Sequence, residues 1–204
     1  MNNLKIIFFG TPDFSLDTLK YLHNSNHKLI SVVSSADKKS GRGLKIIYSP
    51  VKNYCIQNQI SLLQPENLKC IDFQNDLKNL KADLYVIVAF KFLPKEVWSI
   101  PKMGSINIHA SLLPKWRGAA PIQRSIMNLD KQTGISIMKI VEELDSGPVS
   151  NIYKIKLDHK NNTQEISEKL SLLAAEKILD NVDDILEDKV KFTEQDHSKA
   201  TFAK

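Results

Sequence analysis

The 204-residue sequence has only two cysteines, Cys55 and Cys70. Two thiols so far apart make neither a disulfide framework nor a zinc site, and they imply a reducing, cytoplasmic setting. No apolar run approaches the ~18 residues that a membrane span requires. The start, MNNLKIIFFGTP, has neither the core length nor the cleavage pattern of a signal peptide. Gly-x-Gly-x-x-Gly is missing, so FFGTPDF gives dinucleotide binding little support. Gly-x-Ser-x-Gly is missing too, which removes the hydrolase elbow, and Ser111 has no obvious base of its own. His23 and His27 stand four apart on a helical pattern with no carboxylate motif nearby, so no metal site is expected. There is no internal repeat and no low-complexity stretch.

What is present is an ordinary globular composition, 42% apolar and 25% charged, which argues against general disorder. The length suits one large domain with a buried core and is short for two. A net charge of +5 permits a polyanionic partner without demanding one.

Short apolar, β-branched runs alternate with helical patterns. LKIIFFG (4–10), KLISVVSS (28–35), DLYVIVAF (83–90), GSINIHA (104–110) and GISIMKIV (134–141) read as strands, and their near-continuous apolar character suits strands covered on both faces. DFSLDTLKYLHN reads as a helix after the Gly10-Thr11-Pro12 turn. SPVKNYCIQNQ reads as another, with Ser49 as N-cap and Pro50 at the first helical position. The alternation predicts an open, doubly wound α/β fold with a mostly parallel sheet and helices on both faces. A last helix is marked by the capping pair Asn162 and Glu165 and a stripe of Ile166, Leu170, Leu173, Ile178, Val182 and Ile185. The polar stretch after it, KVKFTEQDHSKATFAK, reads as the start of a linker. We therefore expect a catalytic domain over 1–189, with 190–204 leading to a C-terminal domain outside this chain.

One connection is too long. SSADKKSGRGLKIIYSP (34–50) far exceeds the ~2–6 residues usual between a strand and its helix. It carries Lys38, Lys39, Arg42 and Lys45 around Gly41 and Gly43. It is either a solvated insertion or an arm that grips phosphates, the glycines allowing close backbone approach.

The chemistry concentrates in NIHASLLPKWRGAAPIQ (107–123). Period-two alternation points Asn107 and His109 to one side at the carboxyl end of a strand, where open α/β sheets bind ligands. Pro114 ends the extended segment, and Gly118-Ala119-Ala120 lets the next helix start close to whatever is bound. Asp145, in VEELDSGPV, follows the next strand and should open onto the same rim. Singly, each has an ordinary reading: a structural histidine, a turn-forming aspartate, an asparagine bonded to backbone. Jointly, an amide, an imidazole and a carboxylate suit addition to a carbonyl. The first two donate to a developing oxyanion, and the third orients the imidazole and helps take a proton from an attacking amine.

These residues resemble the folate-dependent formyltransferases, and within them the branch that acts on methionyl-tRNA. The resemblance covers nearly the whole chain: IIFFGTPDFSLDTLKYL, SGRG with SPVK, LLQPENLK, INIHASLLPKWRGAAPIQ and ELDSGP. WRGAAPIQ is its specific part. It implies that Asn107, His109 and Asp145 form the catalytic set. It also implies that Ser111, Leu112, Leu113 and Pro114, with Phe90 and Leu93, contact 10-formyltetrahydrofolate. The formyl group would pass to the amino group of methionine esterified to initiator tRNA, supporting translation initiation by a monomer that needs no metal. Lys38, Lys39, Arg42 and Lys45 would meet the acceptor end of that tRNA, with Arg42 its reader. The chain departs from the family at SADKKSGRG and at AFKFLP, where Lys91 either approaches the acidic folate tail or is solvated. Two alternatives stay open: a formyltransferase acting on a nucleotide-sugar or purine-nucleotide amine, and a folate- or RNA-binding module without turnover.

Overall fold

The computed structural model describes residues 3–40, 45–158 and 160–203. Two compact units divide the chain, Met1–Ser105 and Ile106–Lys204.

The first unit runs β1 (Lys5–Gly10), α1 (Leu16–His23), β2 (Lys28–Val33), β3 (Lys38–Ser40), β4 (Lys45–Ile47), α2 (Pro50–Gln57), β5 (Leu62–Leu63), α3 (Ile71–Leu80), β6 (Leu84–Val88) and α4 (Lys95–Trp98). Its main strands lie in the order β6-β1-β2-β5, every pair parallel. The chain steps outward from β1 to β2 to β5, then returns to the opposite flank of β1 as β6. That reversal puts a topological switch point between β1 and β6, the place where such sheets open a crevice. Ile6, Ile7, Phe8, Phe9 and Leu84 through Val88 are buried, as continuous apolar runs require of a sheet covered on both faces. Ser49 caps α2 by accepting from the Lys52 amide at 3.1 Å, and Pro50 opens the helix. The segment read as one helix from Asp13 is a 3-10 turn, Asp13–Ser15, followed by α1.

Two short strands lie within the long connection. Lys38–Ser40 pairs antiparallel with Lys45–Ile47, in the register Lys38↔Ile47, Lys39↔Ile46 and Ser40↔Lys45. Its stem is pinned where Asp37 accepts from Lys52 Nζ at 2.5 Å and Gln64 Nε2 at 3.0 Å. Those two hydrogen bonds hold the Asp37 carboxyl below its ordinary range. Arg42, with residues 41, 43 and 44, lies outside the described residues.

The second unit holds β7 (Ser105–His109, after its first residue), β8 (Arg117–Gly118), α5 (Pro121–Met127), β9 (Gln132–Lys139), β10 (Val149–Lys156), α6 (Thr163–Leu186) and β11 (Phe202–Ala203). Its strands β7, β9 and β10 are antiparallel neighbours, so parallel pairing gives way at this end. Of the stripe expected of α6, Ile166, Leu170, Ile178, Val182 and Ile185 are buried and Leu173 is half-buried, and Asn162 with Glu165 forms a reciprocal capping box. Within the stretch expected to lead into a linker, residues 193 and 201–203 bond to this unit. Thr193 exchanges backbone bonds with Val149 at 2.8 and 2.9 Å, and β11 runs parallel to β8. Among the described residues no helix is long and apolar enough to cross a membrane, and no cluster of His, Cys, Asp and Glu is arranged to hold a metal. Burial pushes the Cys55 thiol up to about 11, so it stays a protonated packing group.

Candidate active site

Asn107 and His109 sit two apart on β7, opposite Met138 and Ser136 of β9, and so share a face. The Asn107 side chain is half-buried, and its carboxamide has no hydrogen-bond partner among the described residues. His109 is buried. Its Nε2 lies 2.8 Å from the Trp116 carbonyl oxygen. A carbonyl only accepts, so Nε2 carries the proton in that bond. The other ring nitrogen, Nδ1, faces Asp145 Oδ2 at 3.6 Å. The structure thus brings histidine and carboxylate together as expected, and it shows both imidazole nitrogens facing groups of the protein itself.

Asp145 is positioned by backbone at both ends. Its residue has φ 50°, in the left-handed region that aspartate tolerates better than most side chains. Its Oδ2 accepts from the Gly118 amide at 2.8 Å. Gly118 itself has φ 117°, and a Cβ there would lie 2.5 Å from the Ala203 carbonyl oxygen. Only glycine lets β8 lie along β11 and still aim its N–H at the carboxylate. Gly147 is equally constrained: a Cβ there would fall 1.9 Å from the Lys139 carbonyl oxygen.

The residue that joins these parts was not legible from spacing. Gln195, buried in the stretch read as a linker, donates through Nε2 to the backbone oxygens of Asp145 at 2.9 Å and Gly147 at 2.7 Å. Its Oε1 accepts from Arg117 Nη2 at 2.8 Å and Nε at 3.2 Å. Arg117 is 2% exposed, so its guanidinium depends on this amide and on His197 Nδ1, 3.3 Å from Nη2. One glutamine therefore fixes the backbone at the aspartate and just after it, and meets the polar demand of a buried arginine.

The segment between His109 and Gly118 is anchored to β9. Ser136 Oγ donates to the Ser111 carbonyl at 2.7 Å and accepts from the Leu113 amide at 3.0 Å. Ser111 Oγ is buried and donates to the Lys115 carbonyl at 2.6 Å, so its hydroxyl serves the turn. Leu113 packs with Met138 and Val149, while Leu112 and Pro114 are half-buried. In the first unit, Leu93 is buried and Phe90 stands edge-on to Phe9, centroids 5.6 Å apart. Phe90 lies two residues past β6, at the carboxyl end beside the switch point. Exposed Lys91 reaches the Pro65 carbonyl at 3.5 Å. Lys38, Lys39 and Lys45 belong to the β3–β4 ladder of the first unit.

A family model described as formyl transferase matches residues 4–182. The methionyl-tRNA formyltransferase of Pelagibacter ubique (strain HTCC1062) is 52% identical over 201 residues, covering 98% of this chain and 65% of its own length. That of Prochlorococcus marinus (strain MIT 9215) is 49% identical over 178 residues, with 86% and 54% covered. The chain thus spans between half and two thirds of the length of these relatives. Among solved structures, a phosphoribosylglycinamide formyltransferase from Anaplasma phagocytophilum superposes with a TM-score of 0.76 at 19% identity, covering 96% of this chain and 97% of that one. A 4-N formyltransferase from Francisella tularensis gives 0.74 at 21%, covering 99% and 77%. At such identities the two structures speak for the fold alone, and they bear out the open, doubly wound α/β architecture. With the family model spanning both units and the strand that presents Asn107 and His109, the chain belongs to the formyl transferase family.

Proposed function

We propose that this chain carries the transfer of a formyl group from 10-formyltetrahydrofolate to the amino group of methionyl-initiator tRNA. The observation that supports the reaction type best is the pairing of a free Asn107 carboxamide with the buried His109–Asp145 contact on one rim. The identity of 52% to a protein named for methionyl-tRNA, against 19–21% to the purine and 4-N enzymes, supports the acceptor.

The amine attacks the formyl carbon, a C–N bond forms, and the carbonyl oxygen gains charge. Asn107 donates to that oxygen, and His109 exchanges the Trp116 carbonyl for it. Asp145 faces the imidazole charge that supports the oxyanion. The bond to the folate nitrogen then breaks; that nitrogen takes a proton as the new amide loses one, so the proton count closes. Leu112, Leu113 and Pro114 supply apolar surface for the folate. The test is formyl transfer from 10-formyltetrahydrofolate to charged initiator tRNA, run beside nucleotide-sugar and purine-nucleotide amines. Turnover only on a small amine would move the assignment to that branch.

The β3–β4 arm gives a second check. Replacing Lys38, Lys39 and Arg42 with alanine should raise the KM for tRNA and flatten its salt dependence, because lost phosphate contacts release fewer counterions. The KM for the folate should hold. An unchanged salt slope would return the arm to a structural insertion.

A further inference from the structure

The Trp116 carbonyl is the one hydrogen-bond partner of the His109 ring among the described residues, and the residue that carries it has an uncommon backbone. Trp116 has φ 61°, in the left-handed region that a bulky side chain seldom adopts. A residue held there persists only where its surroundings over-determine it. A right-handed or extended φ would re-aim the peptide that follows, carbonyl included.

Two residues outside the set Asn107, His109 and Asp145 supply that hold. Thr201, just before β11, grips both peptides that flank Trp116. Its Oγ1 accepts from Trp116 N at 2.9 Å, and its carbonyl accepts from Arg117 N at 2.9 Å. Its own amide donates to the Pro114 carbonyl at 3.3 Å. Asp130, between α5 and β9, holds the side chain, its Oδ2 accepting from the indole Nε1 at 2.7 Å. A charged acceptor makes that bond one of the stronger kind. The other carboxylate oxygen accepts from Asn128 Nδ2, also at 2.7 Å, which fixes the carboxylate itself. The amide, the side chain and the following peptide of Trp116 are all engaged, and its carbonyl is left for His109.

We infer that Asp130 and Thr201 are positioning residues for His109, acting through Trp116. They keep its carbonyl opposite Nε2, and that acceptor keeps the imidazole proton on Nε2 rather than Nδ1. The Nε2–H form is the one that donates to an oxyanion on that side of the ring. Both act at one remove, since neither bonds to the ring itself. The consequence for turnover rests on the proposed reaction, whereas the placement of the ring proton does not.

The test compares this chain with Thr201→Val, Asp130→Ala and their combination, and with Thr201→Ser and Asp130→Asn, which keep an acceptor. The histidines are isotope-labelled for ring-nitrogen NMR, and His109→Gln identifies the His109 resonances. In the double variant the two ring nitrogens should move from distinct shifts toward a common averaged one. Its kcat should fall about tenfold or more while the KM for the folate stays within about twofold. Each single variant should lose roughly threefold in kcat, the scale of one ordinary hydrogen bond. Thr201→Ser and Asp130→Asn should restore both the spectrum and kcat. A lower kcat and melting temperature with an unchanged ring spectrum overturns the inference and leaves the two residues closing a turn. A shifted spectrum with wild-type kcat overturns it as well, because the ring proton would then not govern the reaction. No formyl transfer by any of the proteins, with the spectrum still responding to the variants, defeats the proposed reaction and upholds the placement of the proton. Transfer with a variant-insensitive spectrum defeats the positioning alone.

Discussion

Changing His109 to alanine should lower turnover by about 10²–10³-fold while folate binding largely persists, because the imidazole's contribution falls on charge present only in the transition state. Asn107→Ala should behave likewise, its carboxamide being unpartnered among the described residues and so available to the developing oxyanion. Asp145→Ala should match them for a different reason. It removes the carboxylate facing His109 Nδ1 at 3.6 Å and leaves the Gly118 amide without its acceptor. Asp145→Asn separates the two effects: its side-chain carbonyl can still accept from Gly118, but its charge is gone. Steady-state kinetics with a folate-binding titration on each variant is the measurement. Near-wild-type turnover in any alanine variant would falsify the role given to that residue.

The second large effect is expected at Gln195. Alanine there removes two acceptor contacts of the Arg117 guanidinium and two donations to the Asp145 and Gly147 carbonyls. Hydrogen bonds to charged groups contribute about 1.5–3 kcal/mol each, and a buried charge left short of partners adds its own desolvation cost. Gln195→Ala should therefore destabilise by about 3–5 kcal/mol, a scale set by stripping one partner from a buried charge. It should also reduce turnover beyond what unfolding explains, since the Asp145 backbone loses its tether. Gln195→Glu is the discriminating companion. It offers Arg117 a carboxylate but no longer donates to the loop carbonyls, so stability should return further than turnover does. Denaturant unfolding and kcat measured on the folded fraction would check this. Turnover recovering in step with stability would reduce Gln195 to a packing role.

Much of the frame can be read in the sequence where burial imposes a pattern. β1, β2, β6, β7 and β9 follow from continuous apolar runs, and both helix caps follow from residue identity at fixed offsets. β10 does not follow. It lies at the edge of the sheet order beside β9, and its exposed positions include Ile152, Lys154 and Lys156, so alternation masks it from a search for solid apolar runs. The site divides in the same way. Asn107, His109 and Asp145 are legible because rare polar types stand at the end of a strand. Gln195 is illegible because it lies in a polar stretch, and only the fold carries it 50 residues back to the Asp145 carbonyl.

The pairing of β11 with β8, together with the Gln195 contacts, sets the order in which this site is assembled. Arg117 meets its amide partner across 78 residues of chain, and Trp116 N donates to Thr201 Oγ1 across 85. Closing a loop of that length has to precede any reward from the contact. During synthesis His109 and Asp145 leave the ribosome well before Gln195 and Ala203. The aspartate loop therefore spends that interval without its tether, and maturation of the active site is among the last events in folding this unit.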